Sequence, residues 1–127
     1  MSVELSGLCL PLAHFALEAD VVLSGRVTGI FGASGAGKTS LLEVIAGLRR
    51  PAAGVVRIGG LVLTDVSARV FVRPERRAVG YVPQEGALFP HFSVRKNLLY
   101  GFSEKHPRPV GLTFEHVTEI LEITALV

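Results

Sequence analysis

The chain has almost no sulfur: Cys9 is the one cysteine and Met1 the one methionine in 127 residues. A single cysteine excludes an internal disulfide, so the fold must rest on packing, and a reducing compartment such as the cytoplasm suits it. Cys9 lies in the apolar run Leu8-Cys9-Leu10 and is expected to be a buried filler. Tryptophan is absent and aromatics are only 7% of the residues. A nucleic-acid surface usually combines a basic stripe with stacked rings. With a net charge of only +2 and so few rings, no nucleic-acid partner is expected. No apolar stretch approaches the roughly 18 residues that a membrane helix needs. The N-terminus lacks a positive leading segment and carries Glu4 early, unlike a signal peptide. Repeats, low-complexity tracts and long charge runs are also missing.

What remains is 49% hydrophobic and 19% charged, enough for one globular domain with a real core and too short for two. Such a chain is soluble, or meets a membrane only through a partner. Residues Val3–Leu10 and Phe15–Leu23 alternate loosely and are rich in Val and Leu, which predicts half-buried strands. The short β-branched run Val27–Phe31 predicts a strand buried on both faces. Lys38–Arg50 reads as a helix, with Leu41, Leu42, Val44, Ile45 and Leu48 apolar and Pro51 as its stop. Gly54–Leu63 predicts two short strands around Gly59-Gly60. Val79–Pro83 is a further strand candidate, Val94–Tyr100 a short helix and Gly101–Gly111 a connector. Phe114–Leu121 closes the chain as an amphipathic helix, with Phe114, Val117 and Leu121 at helical spacing.

Between the predicted strand at 27–31 and the predicted helix stands Gly32-Ala33-Ser34-Gly35-Ala36-Gly37-Lys38-Thr39-Ser40. It fits the phosphate-binding pattern G-x-x-x-x-G-K-[ST] in the strand–loop–helix context that pattern requires. The chemistry needs these residue types. Glycines let the backbone curl so that successive N–H groups line a concave nest for phosphate oxygens. The helix start adds free N–H groups and the positive end of its dipole. Lys38 brings a mobile point charge to the outer phosphates, the Thr39 hydroxyl is suited to Mg²⁺, and Ser40 can touch the inner phosphates. The bland alternative is a glycine-rich turn that happens to precede a lysine.

A phosphate loop alone does not separate kinases, GTPases and ATPases. The residues around it do. Ser34–Leu42, then Ile45-Ala46-Gly47-Leu48 and Pro51-x-x-Gly54, resemble the ATP-binding domains of ABC transporters. So do Arg73-Pro74-Glu75-Arg76-Arg77, Val79-Gly80-Tyr81-Val82-Pro83-Gln84 and Leu88-Phe89-Pro90-His91. The order Lys38-Thr39-Ser40, the pair Val62-Leu63-x-Asp65 and the stretch Val94-Arg95-Lys96-Asn97-Leu98-Leu99-Tyr100-Gly101 look like the ATPase subunits of molybdate importers. Importers of sulfate, ferric iron or polyamines share much of the pattern.

This resemblance implies an α/β fold: a P-loop NTPase with a RecA-like core and an N-terminal antiparallel β subdomain, cut within the helical subdomain. Residues 1–127 would be the N-terminal portion of one ATP-binding domain, with the phosphate loop at 32–40, a Q-loop at about 84–92 and the start of the helical subdomain at about 112–127. It implies ATP and Mg²⁺ as ligands, with Gly32, Ala33, Ser34, Gly35, Ala36, Gly37, Lys38, Thr39 and Ser40 around the nucleotide. Thr39 and Gln84 would hold the metal, and Lys38 and Gln84 would serve the reaction. The partners implied are a transmembrane permease, a second ATPase subunit joined head to tail and, indirectly, a periplasmic or extracellular binding protein. The implied location is the cytoplasmic face of the cell membrane.

Departures accompany the likeness. Pro83 precedes the glutamine and removes a backbone N–H there. The adenine-stacking aromatic has no clear counterpart; Phe15 is the nearby candidate, and core packing is the favoured expectation for it. The family's signature segment, its Asp-Glu strand end and its switch histidine are not found, so useful turnover by this chain alone is not expected. A truncated, non-catalytic nucleotide-binding fragment is therefore the competing reading, and a soluble P-loop kinase is disfavoured by the Q-loop segment. The four histidines, His14, His91, His106 and His116, show no ligand spacing, so no metal site beyond nucleotide-bound Mg²⁺ is expected. The arginines at 73–77 read as a solvated loop. Leu88, Phe89 and Phe92 either dock on the permease or cap a local core. Core segments lacking their neighbours should leave apolar surface exposed.

Overall fold

The computed structural model describes residues 2–101 and 113–127, in two units that divide between Val82 and Pro83. The alternating segments at the start do form strands: β1 (Val3–Pro11) and β2 (Ala16–Leu23), antiparallel to one another. β3 (Ala53–Ile58) pairs with the other edge of β1, β4 (Leu61–Asp65) with β3, and β5 (Val70–Phe71) with β4. The resulting antiparallel sheet has the order β2-β1-β3-β4-β5. Gly59 and Gly60, with φ of 56° and 82°, make the two-residue turn between β3 and β4.

Leu5, Leu8 and Leu10 are all buried, although strict alternation would send Leu5 to the face opposite Leu8 and Leu10. A bulge around Gly7 resolves the conflict: the register shifts between Leu5 and Leu8 against β2 and between Ser6 and Cys9 against β3, and Gly7 takes a φ of 53°. Across the bulge, Gly54 lies so close that a Cβ would stand 2.5 Å from Leu8 Cα. Only glycine fits.

The helix α1 (Lys38–Ala46) lays Leu41, Val44 and Ile45 against this face, where Val44 joins Leu5, Leu8, Leu10 and Val56 in the core. Each such burial contributes about 1.5–3 kcal/mol. The helix is shorter than the predicted 38–50. Gly47 turns left-handed (φ 83°) and ends it, so Leu48 leaves the apolar face and is exposed.

Two predicted strands do not form. Residues 27–31 and 79–83 have no strand pairing, and Val27, Phe31 and Val82 are exposed at 92%, 94% and 92%. Their apolar, β-branched character marks them for burial, but a strand also needs a neighbour to take its N–H and C=O groups. Neither segment pairs with any strand of the described sheet. Cys9 is half-buried rather than a fully buried filler, because it projects from β1 on the side away from the Leu8 and Leu10 core.

The second unit carries α2 (Val94–Leu98) and α3 (Phe114–Ile120), both shorter than predicted by one or two residues. Each begins on a hydroxyl cap: Ser93 accepts from the Lys96 N–H at 3.3 Å and Thr113 from the His116 N–H at 3.1 Å. The Arg95 guanidinium lies over the Phe114 ring, 4.6 Å from its centroid. Phe114 and Val117 are half-buried, whereas Leu121 falls past the helix end and is exposed. The connector expected at 101–111 lies, apart from Gly101, outside the described residues. Among the described residues no helix is long and apolar enough to cross a membrane.

Candidate phosphate-binding site

The loop from Gly32 to Gly37 leads directly into α1. Its turn is closed by the Ala36 N–H donating to the Ala33 carbonyl at 3.2 Å. Gly35 and Gly37 are left-handed, with φ of 80° and 87°. Gly35 opens onto free space, while a Cβ on Gly37 would meet Leu12 Cδ1 at 3.0 Å and Leu17 Cδ1 at 3.1 Å. The loop is thus pressed on the β1–β2 turn and β2 at one end and open at the other.

The start of α1 is bare in a way that α2 and α3 are not. Gly37 offers no capping side chain, and no acidic residue lies in the first turn. The N–H groups at the head of a helix have no partner inside it. An anion held there would gain both those donors and the dipole. Lys38, half-buried, arcs back so that Nζ donates to the Gly32 carbonyl at 2.8 Å and the Ala33 carbonyl at 2.6 Å. Its charge therefore stands at the loop itself. Thr39 is exposed and Ser40 half-buried in the same turn. Free amides, one ammonium and hydroxyls, with no carboxylate among residues 32–40, suit a polyphosphate. Among the described residues no three His, Cys, Asp or Glu side chains form a metal group.

Residues 32–40 are brought together; Gln84 belongs to the other unit, where it is exposed on an irregular segment. Phe15 departs from its expected core packing. It is 44% exposed, and its Cζ would lie 3.8 Å from a Cβ placed on Gly37. The reason is the tight turn joining β1 to β2, in which the Leu12 N–H donates to the Phe15 carbonyl at 2.8 Å and leaves the ring beside the loop.

A family model, described as ABC transporter, matches residues 21–126. The chain belongs to the ABC transporter family. Its fold class is accordingly that of the family's P-loop ATPase domain, and ABC membership implies ATP as the nucleotide. The chain is 48% identical over 117 residues to the molybdenum import ATP-binding protein ModC of Rhizobium etli, covering 91% of this chain and 32% of that protein. It is 47% identical over 112 residues to molybdenum import ATP-binding protein ModC 1 of Azotobacter vinelandii, covering 87% and 31%. With ModC of Yersinia pestis the identity is 50% over 90 residues, or 71% and 25%. The chain thus spans a quarter to a third of the length of these ABC relatives, 25% to 32%.

The arginines at 73–77 are not uniformly solvated. Arg73 and Arg76 are exposed, but Arg77 is buried at 4% exposure behind α1. Its sequence signal was faint: a polar Thr64, also buried, inside the apolar strand β4.

Proposed function

We propose that this chain is the nucleotide-binding front portion of the energy-coupling ATPase subunit of a molybdate importer. In this reading residues 32–40 are the phosphate loop, about 84–92 the Q-loop, and about 112–127 the start of the helical subdomain. The observation that carries the reading is the uncapped head of α1 behind a left-handed glycine loop, with the Lys38 ammonium at that loop. Identities of 44–50% to molybdenum import ATP-binding proteins support the choice of substrate.

The loop amides of Gly32–Gly37 and the first N–H groups of α1 hold the α- and β-phosphates of ATP, and Lys38 places its charge on the outer phosphates. The Thr39 hydroxyl and the Gln84 side chain are the groups that would hold Mg²⁺, and Ser40 would touch the inner phosphates. Mg²⁺, when bound, offsets the phosphate charge that builds up as the terminal bond breaks. Gln84 also orients the attacking water and relays nucleotide state to a permease. The complete protein works as a head-to-tail pair on the cytoplasmic face of that permease, fed by a binding protein outside the membrane. Alone, the chain binds Mg-ATP and does not turn it over.

Calorimetry with Mg-ATP, beside a phosphate-release assay, tests this. Binding should be lost in Lys38→Ala, with release at background for both proteins. Unchanged affinity in Lys38→Ala would overturn the reading. For the substrate, uptake by the complete transporter should follow molybdate rather than sulfate or ferric iron.

A further inference from the structure

The core holds α1 by its apolar flank, yet one polar side chain holds its far end. Arg77 has five N–H donors, and each finds an acceptor. Nη1 donates to the Val44 and Ile45 carbonyls at 3.1 and 3.0 Å. Nη2 donates to the Leu63 carbonyl at 3.3 Å and to Thr64 Oγ1 at 2.7 Å, and Nε to the Val72 carbonyl at 2.8 Å. The same guanidinium lies 5.0 Å over the Phe71 ring, which Arg50 covers at 3.9 Å. Gly47 leaves room for it: a Cβ there would stand 2.3 Å from Nε. Two of the five bonds end on carbonyls in the last turn of α1, two on β4 and one just after β5.

We infer that Arg77 is a positioning residue for the phosphate loop: it locks the C-terminal end of α1 to β4 and so sets where the helix head presents its amides and Lys38. This rests on the nucleotide-binding reading above. A nine-residue helix has little stability of its own, so its direction is fixed from outside. Its two ends are about 13 Å apart, and a tilt released at one end is delivered to the other. A carbonyl-capping cation also complements the negative end of the dipole. Lysine could supply the charge but not the fork, since its three donors cannot reach five acceptors.

The test is Mg-ATP affinity of the full chain at a low temperature where circular dichroism shows each variant folded. Arg77→Met should weaken binding about tenfold, equivalent to ~1.4 kcal/mol, with Arg77→Lys recovering part of the loss. Lower melting temperature with unchanged affinity would overturn the inference and leave Arg77 a packing residue. Should Arg77→Met not fold, Thr64→Val decides. It removes one acceptor and should weaken binding by about two- to threefold; an unchanged constant counts against the inference. The underlying reading fails separately, if Lys38→Ala in the unaltered background still binds.

Discussion

At the scale of single residues, two polar side chains with opposite surroundings are informative. Asp65 is at the surface, and its carboxylate accepts from the Ala68 N–H at 2.9 Å and the Ser67 hydroxyl at 2.7 Å. Those bonds, the Ala68 amide first, favour the ionised form and hold its pKa below the ordinary 3.8. A depressed folded-state pKa gives stability that is present above the ordinary value and lost as pH falls through the lower one. Melting temperature should therefore decline below about pH 4 more steeply in the native chain than in Asp65→Asn, which has no charge to lose. Arg77 is buried, and desolvation lowers its pKa from the ordinary value, while five acceptors keep it satisfied. Residue spacing made the glycine loop before α1 legible, because its pattern is written in consecutive positions. Arg77 was not legible, since its partners lie 5 to 33 positions away. Phe15 was misread for a similar reason: a ring in a turn can face either way, and only the turn geometry decides.

At the scale of elements, hydroxyl caps and glycine bends set the boundaries. Ser93 and Thr113 cap α2 and α3, and replacing Thr113 with alanine should cost about 1 kcal/mol of helix stability, seen as lower helicity by circular dichroism. The head of α1 breaks this pattern, and local rules tend to lapse at functional sites. The bulge in β1 makes a sharper prediction. Gly54→Ala would drive a Cβ into backbone of β1 at a φ of 102°, so a loss of at least about 1–3 kcal/mol is expected. Urea unfolding with an unchanged slope and a lower midpoint would register it. The alternating strands and the Gly59-Gly60 hairpin were legible because period and turn chemistry are local. The bulge was not, because a two-residue period read along β1 does not say where it slips.

At the scale of the whole chain, the antiparallel sheet and α1 form one core, while the segments at 27–31 and 79–83 stay unpaired. Sequence pattern announced 27–31 as a buried strand and 79–83 as a strand candidate, but pairing is a property of neighbours and cannot be read from one segment. Val27 and Phe31 present their side chains almost entirely to solvent. Exposed apolar surface of this kind favours association. Sedimentation should show mass rising with concentration, and the double change Val27→Thr and Phe31→Ser should suppress it. Exposed positions tolerate such changes within about 0.5 kcal/mol, so the melt should stay nearly constant.

The fully engaged guanidinium of Arg77 also supplies a clock. Protons held in five hydrogen bonds and shielded from water exchange only when their surroundings open. Its side-chain N–H signals should persist in a nuclear magnetic resonance spectrum long after those of Arg73 and Arg76 have vanished into the solvent. Their decay would time the parting of helix from sheet directly, one molecule-wide event read from a single side chain.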